Sequence, residues 1–256
     1  MKKRNLIDRQ KCAFEGREKA YSAANAIYPM VRKNERNALL NLVHYQKGYS
    51  FVDLQSASGY LAEGILEKWP DSGEIICVEP SENLSRLIPA HFEVINSALE
   101  DTQIKSESID VVVCLAGTHH SHSLKHIIEE CRRILKPNGQ CIISEVEVSS
   151  DMDYWLNQFV NKWTRSGHAG NFVKLGDFSS FFKEAGMTPV YENKEWVPWE
   201  FQDKDHMMSF IHKIFGLEIP DQKCLEEGID KYLKYKKNQQ GIALDWELVY
   251  SKAINI

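Results

Sequence analysis

Phe51-Val-Asp-Leu-Gln-Ser-Ala-Ser-Gly-Tyr60 is the stretch that decides the fold. Val52 and Leu54 are apolar enough for a strand buried in a parallel sheet, and Gly59 allows a tight turn into a following helix. The next apolar run, Ile75-Ile-Cys-Val78, closes on Glu79, so two acids end two strands with a helix-length segment between them. The pattern predicts a βαβ unit with a nucleotide-type ligand over its carboxyl edge.

Downstream the alternation continues. Ser81 is placed to cap a helix that Pro89 ends, residues 92–96 read as a third strand, and Ile109-Asp-Val-Val-Val-Cys-Leu115 has the unbroken hydrophobicity of a strand covered on both faces. Ser121 or Ser123 then caps an amphipathic helix. Its inner face is Leu124, Ile127, Ile128, Cys131, Ile134 and Leu135, and it stops at Lys136-Pro-Asn-Gly139 before a fifth strand over 140–148. Strands alternating with helices over 50–148 predict a doubly wound sheet with its ligand-bearing loops on one edge. Residues 1–35 and 34–45 read as helices ahead of it. Past 149, an aromatic helix-and-loop segment over 151–175 precedes a helix over 178–185 and a strand over 188–196. Two helices over 204–216 and 221–237 then lead to a last strand over 242–251.

Asp53, Gln55, Ala57 and Gly59 stand at the four positions of an acid-x-Gly-x-Gly-x-Gly loop after a first strand, and Glu79 is the acid closing a second. With Ile109-Asp-Val-Val-Val and Arg133-Ile-Leu-Lys-Pro-Asn-Gly139, these residues resemble class I S-adenosylmethionine (SAM)-dependent methyltransferases. The loop departs from the family at Gln55, where a side chain replaces a bare backbone, and at Ala57. The resemblance implies an α/β, Rossmann-like methyltransferase fold: a doubly wound, mostly parallel seven-stranded sheet with N-terminal helices and a helical lid. Residues 1–47 would be a helical cap, and 48–256 the SAM-binding domain with lid insertions around 150–175 and 200–238.

It also implies SAM as cofactor. Asp53 would hold the loop or the methionine ammonium, Glu79 the ribose hydroxyls with Pro80 beside it, and Ser97, Ala98 and Leu99 the adenine. Leu115 and Ala116 would lie along the methionine arm, and Tyr21 or Tyr28 over the cofactor. The activity implied is O- or N-methylation of a small molecule, with His119 or His120 as general base, an imidazole having an ordinary pKa of about 6.5. The same two histidines also suit a hydrogen-bonded structural pair. Other readings are a methyltransferase-fold protein that binds SAM without methyl transfer or catalyses another reaction, an NAD(P)-dependent oxidoreductase, and a binding module without activity. The oxidoreductase lacks its Gly-x-Gly-x-x-Gly.

Composition narrows the partners. At 256 residues, 43% of them apolar, the chain has material for a full core, and its net charge of −5 offers no basic field for nucleic acid. No run is long and apolar enough to cross a bilayer. Six scattered cysteines without CxxC spacing suit a reduced, cytoplasmic protein, monomer or homodimer. His122 and His126 have a zinc-ligand spacing, but no carboxylate or thiol follows at the expected offset, so no metal is expected.

Overall fold

The structure, a computed structural model, describes residues 15–239 and 241–256. Cys12 and the start of the N-terminal helical stretch lie outside the described residues. The main sheet has seven strands in the order β3-β2-β1-β4-β5-β10-β6. They are β1 (Phe51–Leu54), β2 (Ile75–Val78), β3 (Glu93–Ile95), β4 (Ile109–Leu115), β5 (Leu135–Glu145), β6 (Thr188–Trp196) and β10 (Glu247–Ile254). β1 to β5 pair in parallel, and β10 runs antiparallel to both of its neighbours. This is the doubly wound, mostly parallel sheet that the alternation predicts.

The period of two along each strand divides the core. Phe51, Ile75, Val111, Val113 and Ile142 face one layer, while Val52, Leu54, Ile76, Val112, Cys114 and Ile143 face the other. The helix Leu124–Ile134 covers the second layer with Ile127, Ile128, Cys131 and Ile134, all fully buried. Of the two candidate caps, Ser123 is the one used: its hydroxyl accepts from the His126 N–H at 3.3 Å. His122 therefore precedes the helix, and it does not share a helical face with His126.

The helices Glu18–Ile27 and Lys33–Asn41 lie over the first layer, together with the helices Lys204–Phe215 and Gln222–Tyr232. A small second sheet, in the order β7-β9-β8, joins β7 (Trp199–Phe201), β9 (Gly241–Leu244) and β8 (Tyr235–Asn238). It differs from expectation: the helix read over 221–237 ends at Tyr232, and the last main strand begins at Glu247 rather than near 242. Strands of three or four residues carry too little alternation to stand out in sequence, and their pairing with distant partners holds them. Among the described residues, no helix is long and apolar enough to cross a membrane.

Phe51 anchors β1 to the first layer, fully buried against the Trp69 ring at 5.5 Å and the Tyr45 ring at 6.4 Å. Phe51→Ala is expected to cost about 3–5 kcal/mol, measured by urea unfolding. A loss below about 1 kcal/mol would show that β1 is not the keystone of this core.

Candidate functional site

A parallel strand buried at its carboxyl end delivers a loop whose amides have no strand partners, so each must find an acceptor nearby. Near the ends of three strands those acceptors are carboxylates. Asp53 Oδ2 accepts from the Ala62 N–H at 3.1 Å, tying β1 to the first turn of the helix Tyr60–Lys68. Glu79, directly after β2, accepts from the Ala57 N–H and the Ser81 N–H, each at 2.8 Å. Glu145, the last residue of β5, accepts from the Thr118 hydroxyl at 2.8 Å, the His119 N–H at 2.9 Å and the Val146 N–H at 2.8 Å. It also holds His119 Nδ1 at 2.9 Å.

Burial acts on all three acids, with different outcomes. It raises the Asp53 carboxyl well above the usual range, against the Ala62 amide, and pushes Glu79 up to about 7, against its two backbone amides. Burial works the same way on Glu145, but the charge and hydrogen bond of His119, with the amide and hydroxyl donors, outweigh it and hold the carboxyl below its ordinary value.

The loop after β1 makes the turn expected of glycines without having them. Gln55 and Ala57 adopt φ of +58° and +50°, a left-handed conformation that costs an L-residue roughly 1–2 kcal/mol. The Glu79 carboxylate holds the Ala57 end of the turn. Gly59 follows at φ +87°, where a Cβ would come to 3.1 Å from Pro89 Cδ. The Gln55 side chain lies against Gly117, at which an added Cβ would meet Gln55 Cβ and Cγ at 2.7 Å. Its amide nitrogen stands 3.5 Å from Glu79 Oε2, while its Oε1 is buried without a hydrogen-bond partner.

A cavity opens over this edge between the loops after β1 and β4, the point at which the strand order reverses. Gln55 and Ala57 line it from one loop, and Leu115, Ala116 and Gly117 from the other. His119, His120 and Tyr21 of the expected residues also face it. Asp53, Gly59, Glu79, Pro80, Ser97, Ala98 and Leu99 do not line it. Glu79 is fully buried behind the loop, with the Gln55 amide against one of its oxygens. Ser97 Oγ, in the expected adenine segment, is buried without a partner. Tyr28 turns to the helix Lys204–Phe215, donating to Ser209 Oγ at 2.9 Å, with its ring 5.8 Å from Phe210.

The remaining walls come from chain segments far apart in sequence. Arg17 donates to the Phe215 carbonyl at 2.9 Å, and burial lowers its pKa to about 10. Arg32 pairs with Glu35 and donates to Tyr21 Oη at 3.0 Å. Burial opposes the Arg32 charge, but Glu35 and the tyrosines outweigh it and hold its pKa above the usual value. Trp199 donates to Glu35 Oε2 at 3.2 Å and stacks on Trp246 at 4.1 Å. His168 completes the wall beside His119 and His120.

Arg17, Arg32, Glu35, Glu145, His168 and Trp246 belong to the site without being among the residues expected from the sequence. Glu145 did carry a signal, since it closes the apolar run Cys141-Ile-Ile-Ser144 as Glu79 closes its own. His168 and Trp246 carried none.

A doubly wound sheet with a pocket at its switch point has that pocket where open α/β sheets bind their ligands. Residues 52–143 match the family model described as "Methyltransferase domain". The uncharacterized protein YafE of Escherichia coli K12 is 27% identical over 104 residues, 40% of this chain and 49% of YafE, so the match spans about half that relative. A SAM-dependent methyltransferase structure from Thermotoga maritima superposes with a TM-score of 0.62 at 15% identity, covering 96% of this chain and 100% of the other. Phosphoethanolamine N-methyltransferase 2 of Haemonchus contortus, solved with phosphomonomethylethanolamine and S-adenosylhomocysteine, gives 0.63 at 13% identity, covering 98% of this chain and 60% of the other. The chain is thus similar to methyltransferase domains over residues 52–143 and shares the fold of these solved methyltransferases.

Glu79 has a carboxyl pKa of about 7 in the fold against an ordinary value of 4.5. Between those values the native state binds the extra proton, so this group's contribution to stability falls as pH rises through that window. Unfolding of wild type and Glu79→Gln at pH 6 and pH 8 is expected to show the wild type losing, relative to the variant, on the order of 1 kcal/mol across the step. An unchanged difference would mean that Glu79 is already ionised at pH 6.

Proposed function

We propose that this protein methylates a small-molecule acceptor at oxygen or nitrogen, using SAM. The observation that supports this best is the Glu145-held His119, placed in the same cavity as the loops that the family uses for its cofactor. When bound, SAM supplies a methyl group on a sulfonium sulfur; the acceptor's lone pair forms the new bond as the carbon–sulfur bond breaks, leaving a neutral thioether.

A buried polar atom fits such a ligand. Gln55 Oε1, on a residue that lines the cavity, lacks a partner, and a hydroxyl donor of an adenosine would satisfy it. On this reading Gln55, rather than Glu79, meets the ribose, and Glu79 fixes the loop behind it. Leu115, Ala116 and Gly117 border the methionine arm. Glu145 accepts the Nδ1–H of His119 and so leaves Nε2 as the atom that takes the acceptor's proton. Trp199, Trp246 and Phe215 wall the acceptor side with apolar surface and exclude water from the transfer. The N-terminal cap through residue 47 and the segments around 150–175 and 200–238 form the cover over this pocket.

The Gln55 amide at Glu79 favours one second reading, in which the ribose acid is covered and SAM is bound without methyl transfer. Calorimetry with SAM and S-adenosylhomocysteine tests the shared part: no binding at millimolar ligand would sink both readings. Gln55→Ala is expected to weaken SAM binding about threefold to tenfold, the worth of one hydrogen bond. Unchanged or tighter binding would mean that Gln55 only screens Glu79.

With an acceptor found by mass spectrometry of methylated products, His119→Gln is expected to lower kcat on the order of 10²–10⁴-fold. Its SAM affinity should stay within a few-fold of wild type. An equal fall in both quantities would argue for a structural histidine.

A further inference from the structure

His119, His120 and His168 converge on one wall of the cavity. Their ring centroids lie 4.0 Å (119–120), 5.2 Å (119–168) and 5.4 Å (120–168) apart, and one ring nitrogen of each lies within 4.8 Å of the others. All three are buried. Two sit on the short turn Thr118–His120 after β4, and the third arrives from the loop folded across it.

The groups behind two of the rings fix their tautomers. Glu145 Oε1 already accepts the Val146 N–H, so His119 Nδ1 donates to the same oxygen, and in the neutral ring Nε2 carries the lone pair. Asn157 Oδ1 accepts the Gly170 N–H at 2.8 Å, which identifies it as the amide oxygen, so His168 Nδ1 donates to it at 3.2 Å and again Nε2 keeps the lone pair. An oxygen acceptor behind each imidazole N–H is how metal-ligating histidines are oriented.

The supports are themselves anchored. Asn157 lies in a π-helical turn, Trp155–Val160, and its Nδ2 donates to Asp153 Oδ1 at 2.9 Å and the Gly170 carbonyl at 3.2 Å. Such turns recur at functional sites. A Cβ at Gly170 would stand 3.1 Å from His119 Cδ2 and 2.7 Å from the Phe172 ring, so a side chain there would hold the loop off the cluster. The Asn171 N–H donates to the His119 carbonyl at 3.1 Å and closes it.

We infer that His119, His120 and His168 bind a divalent first-row metal ion of the zinc type, with one coordination position left toward the cavity. Three neutral imidazoles with an open fourth position are a catalytic rather than a structural zinc set. Bonds of about 2.1 Å require the nitrogens to close to roughly 3.4 Å of one another, a small rotation of the rings. An acceptor hydroxyl at the open position would release its proton to water more readily, and His119 would then serve as ligand instead of base. The inference rests on the methyltransferase reading for what occupies that position, whereas ion binding itself is independent of methyl transfer.

The full chain, stripped with chelator and kept reduced, is titrated with Zn²⁺ by calorimetry and with Co²⁺ by absorption. One equivalent of zinc is expected, with tetrahedral cobalt bands. His120→Ala and His168→Ala should each weaken zinc by more than Asn157→Ala, for which the loss of a supporting contact predicts roughly 10–100-fold. A double change of the exposed His122 and His126 to Ala should leave the affinity unchanged. Wild-type affinity retained in folded His120→Ala and His168→Ala, or a sulfur-to-cobalt charge-transfer band marking cysteine ligation, would overturn the site. Where a variant fails to fold, the wild-type cobalt spectrum decides: an octahedral, water-like spectrum overturns it. SAM binding is measured on the same stripped protein, so the ion site and the methyltransferase reading stand or fall separately.

Discussion

Buried carboxylates at the carboxyl edge of the sheet are the constraint on which the ligand-facing loops depend. Asp53, Glu79 and Glu145 each take backbone amides from the loops and helix turns that follow the strands. A buried amide left without a partner costs about 1–3 kcal/mol. The acids therefore fix where the loops turn. They also carry the electrostatics of the site: burial raises all three, and only at Glu145, beside His119, is it outweighed. Glu145 is held ionised by His119 and its other donors, whereas Asp53 and Glu79 are pushed toward protonation.

The β1 loop shows how one such acid substitutes for a sequence motif. Glycines at 55 and 57 would adopt positive φ freely, while Gln55 and Ala57 do so against their own preference, with Glu79 anchoring the Ala57 amide. The room missing at Gln55 reappears across the cavity at Gly117, whose lack of a Cβ accommodates the glutamine side chain. Turn and packing thus depend on two residues 62 positions apart.

The cavity's far side depends on a second polar cluster. Arg32, Glu35, Tyr21 and Trp199 join the N-terminal helices to β7, and the Tyr250 hydroxyl donates to the Glu35 carbonyl at 3.0 Å from the main sheet. Breaking one member would leave a buried charge unpaired. The N-terminal helices, β7 and the main sheet are therefore tied to one another through buried polar groups on this side of the cavity.

Much of this was legible in the chain itself. Val52, Leu54, Val112 and Ile143 declare buried parallel strands by unbroken hydrophobicity, and the periodicity of Ile127, Ile128, Cys131 and Ile134 declares the helix that covers them. Local residue order suffices there, because strand and helix periods are properties of neighbouring positions. Asp53, Glu79 and the residues of the β1 and β4 loops could be placed at one edge for the same reason. What the order of residues could not decide is which side chains face the cavity: that Gln55 stands in front of Glu79, that Tyr21 enters while Tyr28 turns away, and that His168 joins His119 and His120 from 48 residues downstream. The short strands β7, β8 and β9 belong with these, since pairing rather than propensity holds them. Such relations depend on packing between segments distant in sequence, where volume, tautomer and hydrogen-bond demand are settled only when the tertiary structure brings the partners together.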